Sequence, residues 1–255
     1  MIWIFNKKKK IKIDIFTYDE EALQHAPILK AQHYIPEWWK KLPVTSKKYN
    51  NIKEAEEVMI FDKIKNANMK RCFGFVELYK RGFILPSWSD FTFDVNKEKI
   101  AYTYMRGREP SFHSKDQFEG AFTDFSHIKL VTPWFIREKS GINFIFKGDV
   151  WNNHNQKFHI VDGIVRYDVL SSTNINMMFP KLDYPYKTVI NFGDPLIHII
   201  PLVPDDVEIE FDMHLRTIEE CRNSIDAIAL TRAGGPPSVI KFLNKTKKNS
   251  GKCPF

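Results

Sequence analysis

The chain is poor in cysteine, in glycine and in long apolar runs, and each shortage removes a class of explanation. Cys72, Cys221 and Cys253 are the three cysteines among 255 residues, and no two stand in a CxxC pair. So sparse and odd a set argues for reduced thiols in a cytosolic setting, against a disulfide framework or a zinc ribbon. The eleven glycines form no Gly-rich phosphate loop, and GxSxG, HExxH and a catalytic-cysteine signature are missing too. No apolar run approaches the roughly 20 residues that a membrane span needs. "MIWIFNKKKK" puts its short apolar stretch before its basic run. A secretory signal has the reverse order, so no export is expected.

What is present is aromatic, basic and patterned for β structure. Aromatic residues make up 14% of the chain, with 21 phenylalanines, which suits a sizeable core built without staples. The formal net charge of +7 gathers in Lys7 to Lys10 and in "KFLNKTKKNSGK" near the other end. Such blocks are either solvated tails or contacts for nucleic acid, anionic lipid or an acidic partner. No basic face with stacking aromatics and no nucleic-acid module accompanies them, which ranks nucleic-acid binding last.

Periodicity outlines the fold. "IKIDIFTY" (11–18) alternates and predicts a half-buried strand. Pro36 and Pro43 bracket one short helix. "MKRCFGFVELYKRGF" reads as an amphipathic helix with Gly82 as a left-handed cap. "ILPSWSDFTFDV" and "KIAYTYMR" flank "NKEK" as a hairpin, while residues 51–68 read as a loop or exposed hairpin. Beyond residue 120 the apolar runs are short, regular and punctuated by Gly, Pro and Asn, the pattern of a sandwich or barrel. Residues 142–148, 158–169 and 195–203 are expected as strands of one layer system. "TIEECRNSIDAIALTR" predicts one C-terminal helix ending at Gly234-Gly235. The expected fold is α+β, with a predominantly antiparallel β-sandwich or β-clip core. A mixed α/β front part spans 1–110, the β-rich core 111–235 and a basic tail 236–255, all in one compact domain.

The chemistry-bearing residues concentrate in "FHIVDGIVRYDVLSSTNIN" (158–176) and its surroundings. His154, His159, Asp162 and His198 have metal-ligand side chains. His159 and Asp162, three apart, point to opposite faces of a strand unless the backbone turns at Asp162-Gly163. Iron oxygenases of the jelly-roll type need two His and a carboxylate on one rim, but the usual H-x-D pair is H-x-x-D here. No shared metal and no cofactor is therefore expected. Cys72, placed in an apolar helix, reads as a buried inert thiol, since Arg71 alone is thin support for a reactive one. Trp38 and Trp39 beside Lys40 and Lys41 could stack a base or a sugar. Neighbours on a helix diverge by about 100°, so one core and one boundary position is the expectation. Trp88 and Trp134, near prolines, are expected to anchor loops.

Two resemblances follow from quoted residues. "GIVRYDV" and then "INFGDPLIHIIP" resemble two motifs of the trimeric dUTPase family, and "TRAGGPPS" (231–238) falls near that family's Gly-rich arm. The resemblance implies a β-clip architecture. It does not carry the hydrolase chemistry, because Arg166 aligns with the catalytic aspartate and a guanidinium cannot act as a general base. "REKSG" replaces the phosphate-binding signature, and His198 replaces the fourth strand's glutamine. "APILKAQHYIPEWWKKLP", "RCFGFVELYKRGFILPSWSDF", "VTPWFIREKSGINFIF" and "KCPF" resemble an uncharacterised protein family of marine T4-like tailed phages. That resemblance implies a location in host cytoplasm or virion and brings no activity with it.

The leading expectation is a phage accessory or virion-associated protein that binds a protein partner or itself, without dUTPase activity. The rival is a small-molecule or nucleotide enzyme centred on His159, Asp162, Asp168 and His198. Its ligand contacts would include Asn174, Arg166, Trp38 and Trp39.

Overall fold

Alternation in Lys9–Thr17 sends Ile11, Ile13 and Ile15 into the interior and leaves Lys10 and Lys12 outside. This strand, β1, sits in the middle of a sheet that draws on both ends of the chain. The computed structural model describes residues 9–43, 68–112, 120–172 and 174–224. After β1 come β2 (Leu29–Lys30), β3 (Phe83–Pro86), β4 (Phe91–Val95), β5 (Ile100–Tyr104), β6 (Ser111–Phe112), β7 (Phe125–Val131) and β8 (Trp134–Glu138). Then follow β9 (Phe144–Gly148), β10 (His159–Ile160), β11 (Gly163–Val165), β12 (Asn174–Pro180), β13 (Tyr186–Ile190), β14 (Pro195–Pro201) and β15 (Val207–Leu215). The helices are α1 (Glu20–His25), α2 (Glu37–Lys40) and α3 (Phe73–Lys80), with residues 218–224 also helical.

Among the described residues the strands form four sheets, ordered β15-β1-β8, β10-β12-β7-β6, β11-β9-β14-β3-β2 and β13-β4-β5. Every pairing is antiparallel except β1 with β15. One buried cluster receives side chains from all four sheets, among them Ile13, Phe83, Phe93, Ile128 and Ile199. The fold is thus α+β, dominated by antiparallel sheets stacked like a sandwich. The parts on either side of residue 110 are interleaved, because β1 pairs with β8 and β15, β3 with β14, and β4 with β13.

Strand burial explains where α3 lies. In β14 the pattern is nearly continuous burial, so both faces are covered. Ile197 and Ile199 meet the main core on one face. On the other, Phe75 and Tyr79 of α3 pack with Ile84 of β3, and the Tyr79 ring lies 5.8 Å from that of His198. Gly82 has a φ of 73°, but α3 is closed by Arg81, which is extended and donates its N–H to the Leu78 carbonyl, so Gly82 takes its left-handed backbone one residue beyond the cap.

Several expectations change. The stretch 158–169 is not one strand: β10 joins the sheet of β12, β11 joins that of β9, and residues 166–169 form a turn. Cys72 is the N-cap of α3 and half-buried, not a buried residue inside the helix. Lys9 and Lys10 belong to β1 rather than to a tail, and Lys10 is ion-paired with Glu210. Trp38 and Trp39 are both half-buried around the Phe75 ring, and each indole donates to a backbone carbonyl, of Trp151 and Met69 respectively. Trp88 and Trp134 are fully buried. The loop or hairpin expected at 51–68, apart from Asn68, and the basic tail lie outside the described residues, as does the C-terminal helix beyond residue 224. No described helix is long and apolar enough to cross a membrane.

Candidate functional site

The candidates distribute over separate places. His159 and Asp162 come together: both line a cleft of about 320 Å³ at the end of β9, with Lys147, Asp149 and Asn153. The chain brings them to one side by changing sheets between β10 and β11. Gly163 has no positive φ, so the turn imagined there from glycine's freedom is not what does it. Asp162 accepts a hydrogen bond from the Gly148 N–H at 3.3 Å, and the His159 ring stands edge-on to Phe125. His154 is exposed, with Nδ1 3.2 Å from the Trp151 carbonyl of its own loop. Asn174 opens β12 in an exposed position opposite Val131.

Arg166 and Asp168 lie at the turn after β11 and grip each other through two contacts, Nε to Oδ1 at 3.0 Å and Nη2 to Oδ2. Their neighbour is the turn formed by "REKSG": a Cβ on Gly141 would fall 3.2 Å from Arg166 Nη2 and 3.5 Å from Asp168 Oδ2. In that turn the buried Glu138 carboxylate accepts from the backbone N–H groups of Ser140, Gly141 and Ile142. Converging N–H groups make an anion site, and here the chain's own carboxylate fills it. Arg166 is held in an ion pair by Asp168 and the nest is occupied, so neither offers an open contact to a phosphate.

His198 is 1% exposed and lies beneath α3. Its Nε2 is 2.8 Å from the Arg81 carbonyl, which can only accept, so Nε2 carries the hydrogen. Burial pushes the imidazole below its ordinary pKa, outweighing the Arg81 carbonyl and Asp149, which pull it up. The ring is therefore a neutral structural donor rather than a ligand shared with His159. Among the described residues no group of three or more His, Cys, Asp or Glu is placed to hold a metal ion.

The direction of this shift sets a pH dependence. An unfolded imidazole binds its proton below about pH 6.5, while the folded one resists it. Stability is therefore intact above that value and falls as pH drops through the window down to the folded pKa. Denaturant midpoints measured from pH 7.5 to 5 should decline in the wild type and decline less in His198→Gln, which keeps a donor for the Arg81 carbonyl. Equal slopes would contradict the assignment.

The sequence reading missed Asp149. It follows β9, is 2% exposed and accepts from the Tyr79 hydroxyl and from Asn152 Nδ2, each at 2.7 Å. Asn152 also donates to the Tyr34 carbonyl, and Asn153 to the carbonyls of Asp149 and Pro195. The available signal was Tyr79, four residues after Phe75 on the apolar side of α3, because a buried hydroxyl needs a partner. Burial, followed by the Asp149 charge, pushes the Tyr79 hydroxyl above the ordinary tyrosine range, so it stays protonated.

The cleft thus offers imidazole, carboxylate and ammonium groups on an exposed rim, above a polar network that fixes its floor. Three large apolar side chains lie exposed in the same stretches of chain: Val150 in the cleft wall, Val161 between two lining residues, and Ile164 on β11. Compared with protein-family models the chain matches none, and no curated protein matches it either.

Proposed function

We propose that this chain acts by binding protein, through the corner formed by the end of β9 and the β10–β11 passage. The observation that carries this reading is the exposure of Val150 in the wall of a polar cleft, of Val161 between two of its lining residues and of Ile164 on the neighbouring β11, at 59%, 41% and 67%. Single exposed apolar residues are ordinary, but grouped ones mark contact surfaces. An apolar cluster with a few polar groups beside it also has the anatomy of a protein interface. Edge position strengthens the reading, since β11 closes one side of its sheet. An accessory or virion-associated role in a phage belongs to this proposal and rests on the sequence resemblance alone.

A photo-crosslinking side chain at Ile164 or Val150 tests it, in expressing cells and in purified protein. The expected result is a discrete adduct, with a second copy or with one partner, that is missing when the probe replaces exposed Lys187. Adduct formation should fall about tenfold when Val161→Glu is added, the size of effect expected of a residue near the centre of an interface. Indiscriminate or no crosslinking from either site would overturn the reading.

A second reading has one observation in its favour: His159 and Asp162 do share the cleft with Lys147. A small-molecule site there predicts saturable ligand binding or turnover that is lost in both His159→Ala and Asp162→Ala.

A further inference from the structure

Among the described residues the longest strand at a sheet edge carries a charge pattern that selects a partner. β15 runs for nine residues at the side of its sheet, paired on one edge with β1, from Lys9 opposite Val207 to Thr17 opposite Leu215. Among the described residues no strand lies on its other edge, where backbone N–H and C=O groups of alternate residues point outward. Its sequence, "VEIEFDMHL", contains none of the lysines or prolines that commonly blunt such edges.

The two faces of β15 differ. Ile209, Phe211 and Met213 pack against the main core, and the Phe211 ring lies 5.6 Å from that of Phe83. Glu208, Glu210 and Asp212 take the alternate positions on the opposite face. β1 shows which strand suits this row: Lys10 and Lys12 stand opposite Glu208 and Glu210, and Lys10 forms its ion pair with Glu210. Among the described residues Glu208 and Asp212 have no ion-pair partner.

Self-pairing is opposed by the same row. In an antiparallel pair, residues directly opposite share a face. Two copies of β15 joined edge to edge would therefore set the carboxylates of one against those of the other. A strand with Lys or Arg at alternate positions turns that repulsion into attraction. Alongside the first half of β15 lies a cleft of about 510 Å³, walled across from Val207, Glu208, Ile209 and Phe211 by Lys30, Gly82 and Phe83. Of the other cations in that wall, Lys80 is neutralised by Glu77 and Arg81 by Asp205.

We propose that the outer edge of β15 accepts an added strand from a partner protein: an extended segment with Lys or Arg at alternate positions and apolar residues between. This surface belongs to a different sheet from the β9–β11 corner, so either proposal can fail without the other.

The test uses the full chain and two labelled synthetic peptides, one alternating Lys with Ile and Thr, the other with Glu in place of each Lys. The net charge of +7 favours the acidic peptide by general attraction. A preference for the basic one therefore reports the local row. The expected result is saturable binding of the basic peptide at least about tenfold tighter than the acidic one. Amide exchange across 207–215 should slow on binding. Glu208→Lys with Asp212→Lys should reverse the preference. The milder pair Glu208→Gln and Asp212→Asn, which keeps side-chain shape, should weaken basic-peptide binding about fivefold with an unchanged melting temperature. No binding, equal binding of the two peptides, indifference to the neutralising pair, or unchanged exchange in β15 would each overturn the proposal.

Discussion

Gly82→Ala is expected to lower stability by about 4 kcal/mol, enough to unfold a marginal domain. Two costs combine there. The residue has a φ of 73°, a conformation in which alanine costs about 1 kcal/mol or more. The larger cost is steric: an added Cβ would fall 2.1 Å from the Ile199 carbonyl oxygen and 3.0 Å from the Ile200 Cα. Those are backbone atoms of β14, central in the five-stranded sheet and bonded on both sides, so they cannot step aside as a side chain would. The Gly82 carbonyl also accepts from the Ala31 N–H, tying the same point to the front of the chain. Gly193→Ala is the control. It has a φ of 84° and no atom within 4 Å of an added Cβ, so it should lose only the conformational part, about 1 kcal/mol. Urea midpoints of the two variants decide it. Losses equal within 1 kcal/mol would mean that the close approach of Gly82 to β14 is wrong.

Asp149→Ala should cost about 3 kcal/mol, because it takes the acceptor from both the buried Tyr79 hydroxyl and the half-buried Asn152 amide rather than removing one contact. The carboxylate joins α3, through Tyr79, to the loop after β9, through Asn152, which in turn holds the Tyr34 carbonyl. Tyr79→Phe removes one of the donors and should cost about 1.5 kcal/mol, as a hydrogen bond to a charged group does. Together with Asp149→Asn it should cost less than the sum of the singles, with a coupling of about 1–2 kcal/mol. A double-mutant cycle by equilibrium denaturation measures that coupling, and strict additivity would break the network apart. If the cleft above is a binding site, loss of Asp149 should also weaken binding there, because Asp149 and Asn153 form part of its wall.

The separation of these effects follows from what is local in the fold. Strand β1, the hairpin of β4 and β5, and helix α3 with Gly82 were all legible, because alternation, the 3.6-residue period and turn chemistry act over a few neighbours. In the hairpin Asn96 Oδ1 accepts from the N–H groups of Glu98 and Lys99, a turn its sequence announces. The pairing of β1 with β15 was not legible. Its partners stand almost 200 residues apart, and nothing in either strand names the other. Nor was the break between β10 and β11, since a short apolar run looks the same whether it stays in one sheet or crosses to the next.

For the candidate site the division is sharper. By itself the sequence determined that imidazoles, carboxylates and amides cluster between residues 154 and 176, that Arg166 cannot be a general base, and that the chain is β-rich with an apolar core. Only the tertiary structure decided which of those groups meet. His159 and Asp162 share a cleft because the chain changes sheets between them. Arg166 and Asp168 close on each other beside a nest that Glu138 already fills. His198 lies buried because α3, more than a hundred residues earlier, covers its strand. Side-chain chemistry is written residue by residue, but exposure and distance depend on non-local packing, which the pattern of any one segment does not contain.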